Sequence, residues 1–310
     1  MRIIVIGATG HIGTFLIPRL VAAGHEVVAA SRGMREPYQP NPAWADVERV
    51  NIDRSTEEAA GTFGDRIAAL RPHVVVDLIC FTLESAQHLA RALAARDALL
   101  LHCGTMWVHG HSTIVPATET LPRAPFGDYG IKKAAIESWL LNATRRKEIR
   151  SAMLHPGHIV GPGWPPVNPA GHLDPAVFTR LANGEEVILP NLGMETLHHV
   201  HADDVAQAFE LAITNADRAV GESFHVCSPA AMTLRGYAEA MAAHFGRAAR
   251  LAFLPWEEWR KTVTEAQAAI TLDHIAHSPN ASIAKARERL GYAPRYTSLE
   301  AVIESVAALT

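Results

Sequence analysis

The chain has 310 residues, 48% of them hydrophobic and 19% charged, which suits one large α/β unit or two domains and argues against general disorder. A formal net charge of −4 with no long Lys/Arg run argues against a strongly electrostatic nucleic-acid or membrane-surface binder. Cys80, Cys103 and Cys227 form neither a disulfide framework nor a close-spaced metal pair, and so fit a reducing cytoplasm.

The opening apolar run is too short for a signal-peptide core, and no stretch approaches the ~18 apolar residues of a membrane span. Residues 2–6 read as a continuous apolar strand, and 11–23 follow with helical spacing. Strands are expected over 26–30 and 47–52, a helix over 57–70, and a very apolar strand over 73–79. Then come a helix over 85–95, a strand over 98–102, a helix over 129–143 and a strand over 151–155. A helix over 205–214 and a strand over 223–226 complete the series. Strands without in/out alternation, joined by helices, imply a parallel sheet covered on both faces. Right-handed crossovers make it a doubly wound, Rossmann-like α/β fold. The rhythm breaks over 164–200 and again from 228. The expected division is therefore 1–163 with 201–227 as a dinucleotide-binding domain, and 164–200 with 228–310 as a smaller C-terminal substrate lobe.

After the first strand comes Gly7-Ala8-Thr9-Gly10-His11-Ile12-Gly13. Its first glycine permits a sharp strand-to-helix turn, its second lets backbone approach a pyrophosphate, and its third lets helix and sheet pack closely. The helix N-terminus then holds negative charge. The second strand runs into Ser31-Arg32, where an acid would hydrogen-bond adenosine ribose hydroxyls; a hydroxyl beside a guanidinium instead suits a 2′-phosphate. The expected cofactor is therefore NADP, with NAD as the alternative. Asp53, after the third strand, is positioned to accept from the adenine amino group. Tyr129 and Lys133 stand at i and i+4 on one helix face, where an ammonium lowers the pKa of a phenol toward useful acid–base range.

With those features, the segments 103–110, 155–163 and 198–205 make the chain resemble the short-chain dehydrogenase/reductase superfamily, in its extended, epimerase-like branch. The resemblance covers residues 3 to about 227. It implies that the Thr105 hydroxyl holds the reacting oxygen of the substrate, that Tyr129 is the acid/base at that oxygen, and that Lys133 binds nicotinamide ribose hydroxyls. The cofactor wall expected on this reading comprises Gly7, Thr9, Gly10, His11, Ile12, Gly13, Ser31, Arg32, Asp53, Ile79, Tyr129, Lys133 and Pro156. Trp107 and His158 are the candidate substrate residues. The implied activity is hydride transfer at a secondary alcohol or carbonyl of a small molecule. A sugar-nucleotide epimerase and a non-catalytic NADP-binding regulator on the same fold are the alternatives. A homodimer through the Tyr129 helix is a further expectation of the resemblance.

Three departures narrow it. Met106-Trp107 follows Thr105 where sugar-nucleotide dehydratases carry Asp-Glu, so an acid–base pair for water elimination is missing. Leu197 and His198 stand where relatives place an Arg that clamps diphosphate. The loop at 81–84 is short, and the family's Asn there has no counterpart. Of the 17 histidines, His198, His199 and His201 are clustered, and His109 and His111 form a pair. No Cys or Glu nearby completes a ligand set, so no metal site is expected.

Overall fold

The computed structural model describes residues 1–309. Seven parallel strands form the central sheet: β1 (Arg2–Ile6), β2 (Glu26–Ser31), β3 (Glu48–Asn51), β4 (Val74–Asp77), β5 (Leu99–Cys103), β6 (Arg150–Pro156) and, returning from late in the chain, β11 (Ser223–Val226), in the order β11-β6-β5-β4-β1-β2-β3. The strand order reverses between β1 and β4, which opens a crevice at the carboxyl ends of those strands.

The continuous apolar runs are explained by burial on both faces. Ile3 and Val5 point into one core with Leu16, Ile17 and Leu20 of α1 (His11–Ala22). Ile4 and Ile6 point into the opposite core. That second layer holds Phe63 and Ile67 of α3 (Phe63–Ala69), Leu89 and Leu93 of α4 (Leu83–Ala94), and Ile136 and Leu140 of α5 (Gly127–Arg145). The expected single helix over 57–70 is two: α2 (Arg54–Ala59), capped by Asp53, and α3 after a break at residues 60–62. Helical composition spans both pieces, but Gly61 carries a φ of 72°, which ends the first.

The remaining strands are β7 (His158–Val160), β8 (Glu186–Pro190), β9 (Thr196–Leu197), β10 (His199–His201), β12 (Met232–Thr233) and β13 (Arg250–Leu254), paired two by two as β7–β10, β8–β13 and β9–β12. The later helices are α6 (Ala176–Asn183), α7 (Ala202–Thr214), α8 (Ala216–Ala219), α9 (Leu234–His244), α10 (Trp256–Trp259), α11 (Glu265–His277), α12 (Ala284–Leu290) and α13 (Ser298–Ala307). A third apolar core draws Phe178 and Leu181 of α6, Tyr237 and Met241 of α9, Trp259 and Val302 together, apart from the sheet layers. Helix α7 packs Val205 and Phe209 into the sheet core beside α1. No helix among the described residues is long and apolar enough to cross a membrane.

The glycine turn has the geometry that its sequence requires. Gly7 has a φ of 84°, and its α-carbon lies beneath Ile79, whose Cγ2 would be 2.8 Å from an added Cβ. At Gly13 an added Cβ would overlap the carbonyl oxygen of Ala8 and lie 2.8 Å from its Cα, and backbone has little room to yield. We expect Gly13→Ala to destabilise the protein by about 2–4 kcal/mol and to weaken dinucleotide binding sharply, since α1 must back away from the turn. Thermal denaturation with and without dinucleotide checks this; an unchanged melting temperature would contradict it.

Candidate functional site

A cavity of about 830 Å³ runs along the carboxyl ends of the sheet strands. Gly7, Thr9, Gly10, His11 and Ile12 line it at the start of α1, Ser31 and Arg32 after β2, Asp53 and Arg54 after β3, and Ile79 after β4. Thr105, Trp107, Tyr129, Lys133, Pro156 and His158 line it further along. Of the expected site residues, Gly13 alone lies behind the wall, in its packing role. Thus residues drawn from six strand ends converge on one crevice.

Helix α5 fixes the central group, because Tyr129, Lys133 and Glu137 recur every four residues along one stripe. The Lys133 ammonium is buried and donates to the carbonyl oxygens of Cys80 at 2.8 Å and Cys103 at 2.6 Å, which leaves one of its three donors free. It lies 5.9 Å from the centroid of the Tyr129 ring. Burial draws this ammonium below its ordinary pKa. The Tyr129 residue is 41% exposed, and that exposure opens into the cavity it lines. The sequence-based expectation that Lys133 lowers the phenol pKa is corrected here. Burial pushes the phenol well above its ordinary value, the nearby Cys103 adds to that, and the hydrogen bond with Thr105 opposes it only in part. Lys133 spends its hydrogen bonds on two carbonyls rather than on the phenol.

Thr105 is held from beneath. Its hydroxyl accepts from the Trp107 N–H at 3.3 Å, and its own N–H donates to His155 Nδ1 at 3.0 Å. That second bond fixes the imidazole tautomer, so His155 Nε2–H donates to the Glu137 carboxylate at 3.0 Å. Glu137 also accepts from Arg123 at 2.6 and 2.8 Å and from the Ser223 hydroxyl at 2.5 Å. His155 and Arg123, with these hydrogen bonds, hold the buried Glu137 carboxyl well below the usual carboxylate range against the cost of burial. This support is invisible in the sequence, because its members come from α5, β6, β11 and a loop.

At the cofactor half, Arg32 is exposed beside the cavity and Ser31 Oγ accepts from the Gly33 N–H at 3.3 Å. Asp53 caps α2 through the Thr56 N–H at 3.0 Å, and that bond holds its carboxyl below the ordinary value, with Arg32 helping. Arg54 was missed by sequence reasoning. It is buried, donates from Nη1 to both carboxylate oxygens of Asp77 at 2.7 and 2.9 Å and from Nε to Glu58 at 2.7 Å, and leaves Nη2 without a partner at the cavity wall. Tyr38 and Trp164 were missed as well. Trp164 stacks on the His11 ring at 5.0 Å, and Tyr38 meets both rings edge-on, so two loops close over the start of α1.

Comparison with known proteins places this arrangement. Residues 3–227 match the NAD dependent epimerase/dehydratase family, which is most of the chain. The chain belongs to the NAD dependent epimerase/dehydratase family. It is 29% identical over 230 residues to the 2'-dehydrokanamycin reductase of Streptomyces kanamyceticus, spanning 74% of this chain but only 62% of that relative's length. It is 28% identical to the dTDP-6-deoxy-L-talose 4-dehydrogenase (NAD(P)(+)) of Kitasatospora kifunensis, across 98% of this chain and 94% of that one. Among solved structures, the UDP-glucose 4-epimerase of Thermotoga maritima superposes with a TM-score of 0.75 at 21% identity, covering 100% of this chain and 98% of that one, which shows the shared fold. The expected resemblance to the epimerase-like short-chain dehydrogenases/reductases is borne out, and so is the doubly wound parallel sheet.

A nicotinamide dinucleotide, the cofactor that the family description names, fits the residues present. The N-cap of α1 is Gly10, which has no side chain to cap the helix, so the first-turn N–H groups beside the crevice are left for an anion such as a pyrophosphate. The family site thus has an anion-binding end at α1 and a hydroxyl-bearing end at Thr105 and Tyr129.

Proposed function

We propose that this protein is an NADP(H)-dependent oxidoreductase that transfers hydride at a secondary alcohol or carbonyl of a small molecule, with Tyr129 as acid/base. The observation that carries the reading is the convergence of Thr105, Tyr129 and Lys133 on the crevice that begins at α1. When bound, the dinucleotide supplies or takes up the hydride. Thr105 and Tyr129 grip the substrate oxygen from two sides, which polarises the carbonyl. The phenol is protonated at neutral pH at its ordinary value near 10, and burial reinforces this, so Tyr129 is set to donate. As hydride arrives at the carbonyl carbon, the C=O π pair moves onto oxygen, and that oxygen takes the Tyr129 proton. Alcohol oxidation is the reverse. Lys133, with one donor left over, fits a ribose hydroxyl on the cofactor side. Pro156 and Ile79 flank the nicotinamide position on this reading, Asp53 receives the adenine, and residues 164–200 with 228–310 serve as the substrate lobe. Net reduction consumes one NADPH per product, whereas epimerisation consumes none, so product stoichiometry separates the two.

Arg32 supports NADP over NAD, because it stands at the crevice edge where β2 offers no carboxylate. A charge-assisted hydrogen bond is worth about 1.5–3 kcal/mol, so Arg32→Ala is expected to lower kcat/KM for NADPH by roughly 10–100-fold and for NADH by less than about twofold. Steady-state rates with both dinucleotides test it. Equal losses on both would overturn the NADP assignment, and loss of neither would remove Arg32 from the site. A homodimer through α5, whose outer surface exposes Ile131, belongs to the same reading, as does a reducing cytoplasm for three buried, free cysteines.

A further inference from the structure

The cavity beyond Thr105 and Tyr129 differs in character from its cofactor half. Its wall there holds Trp107, Val167, Leu173, Pro279, His158 and His274. The charged residues that line the cavity are Arg32, Arg35, Asp53, Arg54 and Lys133. Arg32, Asp53 and Arg54 follow β2 and β3, whereas Thr105 follows β5. Three strand spacings separate β2 from β5, which at about 4.8 Å each is roughly 14 Å. Arg35 is held on the Tyr38 hydroxyl at 2.8 Å, and Lys133 is committed to two carbonyls. Lys133, whose one remaining donor goes to the cofactor ribose on the reading above, is therefore the sole cation near the substrate end of the lining among the described residues. The two places where relatives would carry a clamp for diphosphate are spent on structure. Leu197 is fully buried in the third core. His198 accepts from the Ala281 N–H at Nδ1 and donates from Nε2 to the Ser228 carbonyl at 2.9 Å.

What the wall offers instead is lone pairs and an aromatic face. His274 Nδ1–H donates to the carbonyls of Ile270 at 2.7 Å and Gly171 at 3.0 Å, so its Nε2 carries a lone pair. The His158 ring lies 4.5 Å from it, with a buried Nε2 that has no partner. Trp107 is edge-on to both rings, at 5.5 Å from His274 and 6.2 Å from His158, and is backed by His277 stacked at 4.1 Å. The His158 nitrogen lies too deep to meet a ligand, so the acceptor that a substrate hydroxyl or amine would satisfy is the His274 Nε2 lone pair. A diphosphate in the same place would bring acceptor against acceptor with only the committed Lys133 to offset its charge.

We propose that the substrate is a phosphate-free ring carrying hydroxyl or amino groups, a carbohydrate or cyclitol alcohol or ketone, and that His274 is the residue that selects it. This rests on the hydride-transfer reading above. The test uses the full chain saturated with NADP+ and three ligands: methyl β-D-glucopyranoside, 2-deoxystreptamine and UDP-glucose. Saturation-transfer NMR reads ring binding directly. Binding of the glucoside marks a hydroxylated ring, and binding of the aminocyclitol marks an aminated one; either supports the proposal. In both cases the affinity should fall at least about tenfold in His274→Phe. Tighter binding of UDP-glucose than of either ring overturns the proposal, as does binding of none of the three. If His274→Phe does not fold, the wild-type competition decides alone. Ring binding without turnover on any alcohol would sink the redox reading and leave the substrate class standing.

Discussion

Tyr129→Phe is expected to lower kcat/KM for carbonyl reduction by about 10²–10⁴-fold, the range for loss of a positioned general acid, while dinucleotide affinity stays within about twofold. Phenylalanine keeps the ring that meets Trp107 edge-on at 5.9 Å, so the cavity wall survives and only the proton is removed. Because burial and Cys103 raise the phenol above its ordinary value, the wild-type reduction rate should hold flat through pH 9 rather than fall as the donor deprotonates. The alcohol-oxidation direction, which needs the phenolate, should rise with pH over the same interval. Initial rates followed by dinucleotide absorbance in both directions, for both proteins, decide the matter. A variant that keeps more than a tenth of the wild-type reduction rate would show that another group, or water, delivers the proton. Thr105 has a separable role, since its hydroxyl accepts from Trp107 and bonds the phenol. Thr105→Val should lose activity with Tyr129 still in place.

The sheet and its crevice were legible because their signals are local. Four consecutive apolar residues at 3–6, a glycine turn and a Tyr-Lys pair one helical turn apart each fix a piece of backbone, and right-handed crossovers then leave few ways to join the pieces. Glycines could be given roles from the sequence because steric demand is local too, as the Gly13 contact with Ala8 shows. The electrostatics were not legible. Whether an ammonium four residues away tunes a phenol depends on what else competes for its protons, and the carbonyls of Cys80 and Cys103 win from other strands. Arg54 sits in no motif, and it is Asp77 at the end of β4, three strands away from β3, that draws it under the crevice. His274 has no motif around it. It reaches the site because α11 folds back from more than a hundred residues away, and the same return stacks His277 on Trp107.

The histidines show the same limit and lead to the second large effect, a loss of stability on mild acidification. A cluster such as His198, His199 and His201 suggests ligation in a sequence, but here the rings are built into the fold. His198 and His199 donate from Nε2 to the carbonyls of Ser228 and Val167, and His11 is sandwiched under Trp164 with neither nitrogen paired. Burial lowers His11 and His199 to about 3 and His198 to about 4, so all three are neutral in the folded protein at physiological pH. In the unfolded chain each titrates near 6.5. Between these values the unfolded state binds more protons, so stability falls as pH falls from about 6.5 toward 4. Each ring costs on the order of 3 kcal/mol by pH 4, and three together reach the ~5–15 kcal/mol that holds a typical domain folded. Glu137 acts in the same direction, because its depressed carboxyl gives stability above the ordinary carboxylate range that is lost as acid protonates it. Asp204 acts oppositely. Its carboxyl is raised by burial to about 6, so it destabilises the ionised fold and relieves that burden on acidification, a single group against several. Calorimetry from pH 7.5 to 4.5 should show a falling melting temperature, with net proton uptake on unfolding near pH 5.5 to which the other buried rings such as His109, lowered to about 4, also contribute, read from the dependence of the unfolding enthalpy on buffer ionisation. A melting temperature that stays level between pH 7 and 5 would mean that these rings are already charged in the folded protein.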